Sequence, residues 1–235
     1  FIYDDYRQIL LAPHKRMDIV TGELLMTGKA KVHLADNKEN IELLDIDLPF
    51  KFLKPEVAVR TTFISYLKEQ IEALKAKYGV FSKMIMSRGT FNKNIVGSKE
   101  FGETFKMILG SNQFYVSGGL ITSQMASSVF SGIGLPTIEI KEDYVENQNG
   151  ENVQIYADDR ITLLQSDNVM RMRHHRPYVM TDPVPGRNYS QSEGQMSICN
   201  YRDEEGRYME YTAEWIPEFI APNKIVNIDL STMNA

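Results

Sequence analysis

One cysteine, Cys199, and one tryptophan, Trp215, stand in 235 residues. A single thiol excludes an intrachain disulfide framework and suits a reducing compartment. An excess of basic charge is also missing. Lys and Arg number 26 against 31 Asp and Glu, a net charge of −5, which argues against a dedicated nucleic-acid binder with its usual broad basic field. No run approaches the roughly 18 consecutive apolar residues of a membrane span, so no membrane partner is expected. The opening Phe1-Ile2-Tyr3-Asp4-Asp5-Tyr6 has no basic region ahead of an apolar one, the pattern of a secretory leader. It starts on Phe rather than Met, as a truncated or processed chain would. Cys-x-x-Cys, His-x-x-x-His and Gly-x-Ser-x-Gly spacings are absent, which removes the commonest zinc sites and the nucleophile elbow. There is no internal repeat and no low-complexity stretch.

What is present is an ordinary globular composition, 43% hydrophobic and 24% charged, with enough length for a sizeable core. Met17, Val20, Leu24 and Leu25 fall near helical spacing from His14 to Met26, with Pro13 just ahead and Thr27-Gly28 closing the pattern. Strands follow at Lys29–Leu34 and through Ile41, Leu43, Leu44, Ile46 and Leu48, around a polar turn at Asp36–Asn40. The clearest helix is Glu56–Tyr78, whose stripe of Phe63, Leu67, Ile71, Leu74 and Tyr78 is one apolar face. Lys83–Ser87 reads as a short strand. Thr90–Leu109 reads as a helix interrupted at Gly97 and Gly102, Gly110–Gly119 as a loop, and Ser123–Phe130 as a short helix. From Thr137 to Leu164, Ile138 and Ile140 alternate with polar residues on one side of Asn149-Gly150, and Val153, Ile155 and Ala157 on the other. That predicts two antiparallel strands joined by a tight turn with a polar, solvent-exposed tip. Asp182–Gly194 reads as a long loop, Met196–Tyr201 and Arg207–Trp215 as strands, Pro217–Pro222 as a corner, and Lys224–Leu230 as a final strand with Ile225 and Ile228 inward.

Candidate chemistry is thin. Gly22–Lys29 resembles a phosphate-binding loop, but it has five residues between its glycines and Ala30 where Ser or Thr would hold magnesium. A helix terminus explains it better. His174-His175 are adjacent and diverge on a strand or a helix, so they converge on no metal. Arg171, Arg173, His174, His175 and Arg176 form the one dense basic run. It could meet phosphates or an acidic neighbouring subunit; a solvated strand face with Met170 and Met172 inside is favoured. Asp158-Asp159 and Asp4-Asp5 are paired carboxylates without the cleft that acid–base work requires. Cys199 has no activating neighbours in sequence. No catalytic, cofactor-binding or metal-ligating residue is assigned, no cofactor is expected, and the expectation is a protein that is not an enzyme.

Several motifs in order resemble the major capsid protein E family of tailed bacteriophages. They are Met26-Thr27-Gly28-Lys29-Ala30 at the helix-to-strand junction, Lys83–Phe91 and Tyr144-Val145-Glu146-Asn147 with the return segment Asp158–Leu164. Trp215, Pro217 and the closing Val226-Asn227-Ile228 complete the series. The resemblance implies an α+β chain with the Hong Kong 97 phage capsid fold. A peripheral lobe would comprise residues 1–50 and 166–235 around a spine helix, and an axial lobe residues 51–165. The N-terminal arm and extended loop that precede the spine helix in the family have no counterpart in this sequence, and Asp182–Gly194 is longer than the family pattern. The implied function is a structural subunit of an icosahedral head. Such a subunit self-assembles into pentamers and hexamers, with scaffold, portal and cement proteins as partners and packaged double-stranded DNA held non-specifically. Its place is the virion, after assembly in the bacterial host cytoplasm. An encapsulin-like compartment shell shares this fold, and an α/β nucleotide-binding enzyme using the Gly28-Lys29 turn is the alternative of another class.

Overall fold

Among the described residues, strands patterned for burial on one face pair into five sheets. The computed structural model describes residues 2–33, 42–110, 121–146, 150–166 and 168–234. The chain divides into two units, Phe1–Thr21 with Met170–Ile220, and Gly22–Val169 with Ala221–Ala235. The division falls inside the first helix, α1 (Ile2–Thr27). This helix begins well before the expected His14, and Pro13 lies within it. An interior proline removes one backbone hydrogen bond and crowds the carbonyl four residues back, at a cost of about 3 kcal/mol. One missing bond leaves the ladder on both sides of it intact, so the helix continues through. At the far end Gly28 takes φ +71° and donates its N–H to Leu24 O at 2.8 Å. That left-handed cap is cheap only for glycine.

In the second unit, β1 (Lys29–His33) and β2 (Glu42–Asp47) form an antiparallel ribbon whose expected turn lies outside the described residues. Next comes a sheet of five strands. β3 (Lys51–Leu53), β14 (Val226–Asp229), β8 (Arg160–Leu164), β4 (Lys83–Ser87) and β5 (Thr137–Lys141) lie side by side in that order. One face packs under α2 (Phe63–Tyr78), α4 (Lys99–Leu109) and α5 (Ser123–Gly132). Met84, Met86, Ile161, Leu163, Val226 and Ile228 meet Phe63, Leu67, Ile71, Phe101, Phe105 and Phe130 there. The predicted stripe is therefore core, with Leu74 packed at its margin. β14 is buried at every position rather than at alternate ones, because Val226 and Ile228 pack under the helices while Asn227 is covered on the other face beside Thr162.

The helix expected from Glu56 begins instead at Phe63, after a 3₁₀ segment at Val57–Thr62. Thr62 makes no side-chain cap. Glu100, in the first turn of α4, fills that role from a distance, accepting the N–H groups of Ile64 (2.8 Å) and Ser65 (3.0 Å). A carboxylate there answers two orphan donors and the positive helix end. The stretch expected as one interrupted helix is three pieces: α3 (Arg88–Thr90), a π-helical turn (Phe91–Val96) and α4, with the break at Gly97-Ser98. Gly102 does not interrupt α4. The Gly110–Gly119 loop falls almost wholly outside the described residues.

The expected pairing of the Ile138–Ile140 strand with Val153–Ala157 is not what forms. β5 runs parallel to β4, Met84 opposite Ile138 and Met86 opposite Ile140. The hairpin is a shorter ribbon, β6 (Tyr144–Glu146) with β7 (Asn152–Gln154), Val145 opposite Val153. Period-two alternation fixes which face is apolar but not which strand lies alongside. Parallel pairing to β4 puts Ile138 against the helices, a larger burial than a hairpin alone could offer. Of the tip, residues 147–149 lie outside the described residues; Gly150, Glu151 and Asn152 are exposed.

In the first unit, β10 (Asn188–Gln191), β11 (Ser197–Arg202) and β12 (Arg207–Thr212) form an antiparallel meander. β9 (Met170–His175) pairs antiparallel with β13 (Glu214–Phe219) as a two-stranded ribbon. Pro217, expected at a corner, sits inside β13 opposite Met172. A ribbon strand tolerates it because each of its strands has an unpaired edge where a missing N–H costs little. On the inner side of the ribbon, Trp215 donates its indole N–H to Gly194 O at 2.7 Å. The His14 and His174 rings lie 4.6 and 5.1 Å from it.

Candidate functional site

Two places collect polar side chains. The first is the carboxyl end of β4, where an open α/β sheet would accept a ligand. Ser87 ends that strand and caps α3, accepting the Thr90 N–H at 3.0 Å. Its hydroxyl donates to Asp158 at 2.5 Å, and the Thr90 hydroxyl lies 2.9 Å away and accepts the Asp159 N–H at 2.8 Å. The Asp158 carboxylate covers the start of α3 so closely that a Cβ added at Gly89 would come within 2.5 Å of it. Asp159 accepts from Asn234 through its side chain and from Leu230 N–H (2.9 Å) through its carbonyl. Asp229 caps the last helix, α6 (Ser231–Asn234), and pairs with Arg160 at 2.8 Å. Burial alone would raise the Asp229 carboxyl. The Ser231 hydroxyl and N–H and the Arg160 guanidinium outweigh it and hold the pKa below the usual carboxylate range.

Chemically this knot is spent. Ser87 and Thr90 are fully buried, and among the described residues no imidazole reaches either hydroxyl. A nucleophile needs a base and a path for substrate; Ser87 gives its proton to a carboxylate that is itself the lid on a helix end. The paired aspartates therefore separate into two jobs, Asp158 on the start of α3 and Asp159 on the C-terminal helix. On the other face of the sheet, Tyr156 and Thr162 hydroxyls lie 2.7 Å apart, with Asn227 Oδ1 2.6 Å from Thr162. Burial raises the Tyr156 phenol well above its ordinary value. These are internal links too.

The second place is the outer face of the β9–β13 ribbon. The register sets Arg171 opposite Glu218, Arg173 opposite Ile216 and His175 opposite Glu214. Arg173 forks Glu218 at 2.6 and 3.1 Å, Arg171 bonds the same carboxylate, and His175 Nδ1 lies 2.8 Å from Glu214. Hydrogen bonds from Arg173 and then Arg171 bring the Glu218 carboxyl down to about 2. Arg176 donates to Met180 O at 3.1 Å. The dense basic run is thus answered from within its own unit by the next strand but three. Met170 and Met172 point to the inner side, as the favoured reading expected.

The remaining sequence candidates find structural places. Gly22 lies mid-helix, where a Cβ would meet Ile155 Cγ2 at 2.5 Å and Ile155 O at 2.8 Å. Gly28 is the helix cap, and Lys29 pairs with Asp47 at 2.9 Å rather than standing free for a phosphate. His174 and His175 point to opposite faces, as adjacent strand residues must. The Asp4 and Asp5 side chains lie outside the described set, and Cys199 is buried. Among the described residues no group of His, Cys, Asp or Glu is gathered for a metal, and no helix is long and apolar enough to cross a membrane. What the sequence did not disclose is Glu100 as a remote cap and Glu218 as the double acceptor. Both act across 35 or more residues, a separation that carries no local pattern.

Comparison with known proteins bears on the fold. The chain matches the crystal structure of a protein described, by inference, as the capsid protein of a prophage in Escherichia coli CFT073. The TM-score is 0.60 at 15% identity, over 96% of this chain and 65% of that one. A phage-related protein of Bordetella bronchiseptica RB50 matches with TM-score 0.45 at 14% identity, over 78% of this chain and 56% of that one. The chain thus spans about 65% of the length of the first of these. No family model and no curated protein matches the sequence. At such identity the first likeness is one of fold: a mixed helix-and-sheet chain folded like that prophage protein.

Proposed function

We propose that the chain is a structural subunit of a bacteriophage or prophage head. The observation that carries this reading is the first fold match, which runs over 96% of the chain, both units included, rather than over one widespread sheet motif. The order of sequence motifs resembling the E family of capsid proteins supports it independently. So does the state of the polar clusters: at the end of β4 the hydroxyls and carboxylates bind one another, as expected of a protein that works by shape and contact rather than by chemistry. On this reading the fold is the Hong Kong 97 type. Residues 1–50 and 166–235 would be the peripheral lobe, and residues 51–165 the axial lobe. Identical wedges would meet through heterologous contacts that close into pentamers and hexamers. Scaffold, portal and cement proteins would be further partners. Packaged DNA would touch the shell non-specifically, because the self-neutralised ribbon leaves little to grip phosphates. Assembly would take place in the host cytoplasm and the product would be the virion shell.

The test is assembly itself. The longest natural form of the chain, expressed alone and with the scaffold encoded beside it, should sediment as capsomers or shells and show closed particles by negative-stain microscopy. A strict monomer under every assembly condition, or stoichiometric nucleotide binding with turnover, would overturn the reading.

A further inference from the structure

The outer face of the β9–β13 ribbon has an order that folding does not require. Arg171, Arg173 and His175 form one row, and Glu218, Ile216 and Glu214 the other. Surface ion pairs contribute little to stability, so four charges set this regularly have small value to the fold. The face is also partly apolar. Ile216 at its centre is 42% exposed, Ile220 just past the strand end 56%, and Tyr178, whose N–H bonds Glu214 at the other end, 67%.

We infer that this face docks on the same face of a second copy of the chain, about a two-fold axis running along the strands. That operation carries each row across the axis. The Arg171–Arg173–His175 row of one copy then lies over the Glu218–Ile216–Glu214 row of the other. Arg171 meets Glu218 twice, His175 meets Glu214 twice, and each Arg173 lays its aliphatic stem over an Ile216. A two-fold perpendicular to the strands would instead stack basic row on basic row and acidic on acidic. A different partner of one charge sign, such as a nucleic acid or an acidic peptide, would find half the face repulsive. Self-complementarity under one axis therefore selects a second copy. The inference does not depend on the capsid reading; it follows from the rows alone.

Size limits the strength. Six residues at about 3.4 Å per residue give a strip near 20 Å long and two strands wide. A stable interface needs roughly 800 Å² per partner, several times more. The contact is weak between two isolated chains and becomes effective only where other contacts hold copies together, through raised effective concentration.

Sedimentation equilibrium up to about 1 mM chain at low salt tests it. The unmodified chain should self-associate, and more weakly as salt is added. The double variant Glu214→Arg with Glu218→Arg, and the double variant Arg171→Glu with Arg173→Glu, should each lose self-association by at least about tenfold. Their equimolar mixture should regain it. Ile216→Asp leaves every ion pair of the face in place and should also weaken association at least about tenfold by burying a charge; it decides alone if a double variant fails to fold. The inference is overturned by a chain that stays monomeric over the whole range. It is equally overturned by a mixture no stronger than its separate components, or by Ile216→Asp associating like the parent.

Discussion

The two units of this chain are held together by different means. Gly22–Val169 with Ala221–Ala235 has a sheet buried on one face by three helices, and its central strands β8 and β14 are apolar or internally bonded on both faces. Among the described residues, Phe1–Thr21 with Met170–Ile220 has a meander and a ribbon with few buried side chains: Val20 in α1, Met196, Ser197, Ile198 and Cys199 in β11 and its approach, and Pro177 and Pro217, with Trp215 partly covered by two imidazoles. Its visible order comes from surface hydrogen bonds and stacking, such as Arg187 over the Tyr201 ring at 3.9 Å and Tyr201 against Tyr208 at 5.2 Å. Thin sheets with exposed faces bury too little to stabilise themselves strongly. The lesson is that, among the described residues, the second unit is ordered mainly by a packed core and the first mainly by surface hydrogen bonds and ring contacts.

The comparison breaks most visibly in the core. Leu67 is fully buried among the aromatic residues of the helices. Leu67→Ala should cost about 2–5 kcal/mol in urea unfolding, the range for a truncated buried leucine. A variant with unchanged midpoint would show that the helical face is not the source of stability. Next in size is Gly22→Ala. Helix propensity alone predicts a gain of about 1 kcal/mol for alanine. The 2.5 and 2.8 Å approaches to Ile155 predict the opposite sign, a loss of about 1–3 kcal/mol from overpacking. A stabilised variant would mean that α1 and the Ile155 segment part easily.

Glu100→Ala should cost about 1 kcal/mol, since it leaves two N–H groups at the start of α2 without their acceptor. Hydrogen exchange at Ile64 and Ser65 should rise while the centre of α4 stays protected. The smallest effect belongs to the first unit. Glu218→Gln should lower the urea midpoint slightly at neutral pH and low salt, and less as salt is added, because the carboxylate is at the surface. Its signature is in acid. A carboxyl held down to about 2 from an ordinary 4.5 contributes stability that is present above 4.5 and is lost as pH falls toward 2. The parent should therefore lose stability more steeply than the variant across that window. Coincident acid titrations would show that the Arg173 and Arg171 pairing does not persist in solution.

Some of this was legible in the residues. Lys83–Ser87 is a strand because a short apolar centre, Met84-Ile85-Met86, between polar ends is too brief for a helix, and it forms where predicted. The stripe from Phe63 to Tyr78 is core because a period of 3.6 leaves one face apolar. The basic run reads as a strand with methionines inward, since alternation fixes the sides.

Local pattern determined, then, that Met17–Met26, Phe63–Tyr78 and Ser123–Phe130 are helical, which face of α2 and of β9 is apolar, and where glycine closes α1. Tertiary structure alone decided the partners. Ile138 and Ile140 could have faced Val153 across a turn, but burial against the helices set them beside Met84 and Met86. Asp158 and Asp159 are neighbours in sequence, yet the fold sends one to Ser87 and the other to Asn234. Glu218 is one of many glutamates until β13 lies against β9 and two guanidiniums close on it. The reason is physical. Propensity and periodicity act over a few residues, whereas hydrogen bonds and buried area are decided between segments that only the folded chain brings together.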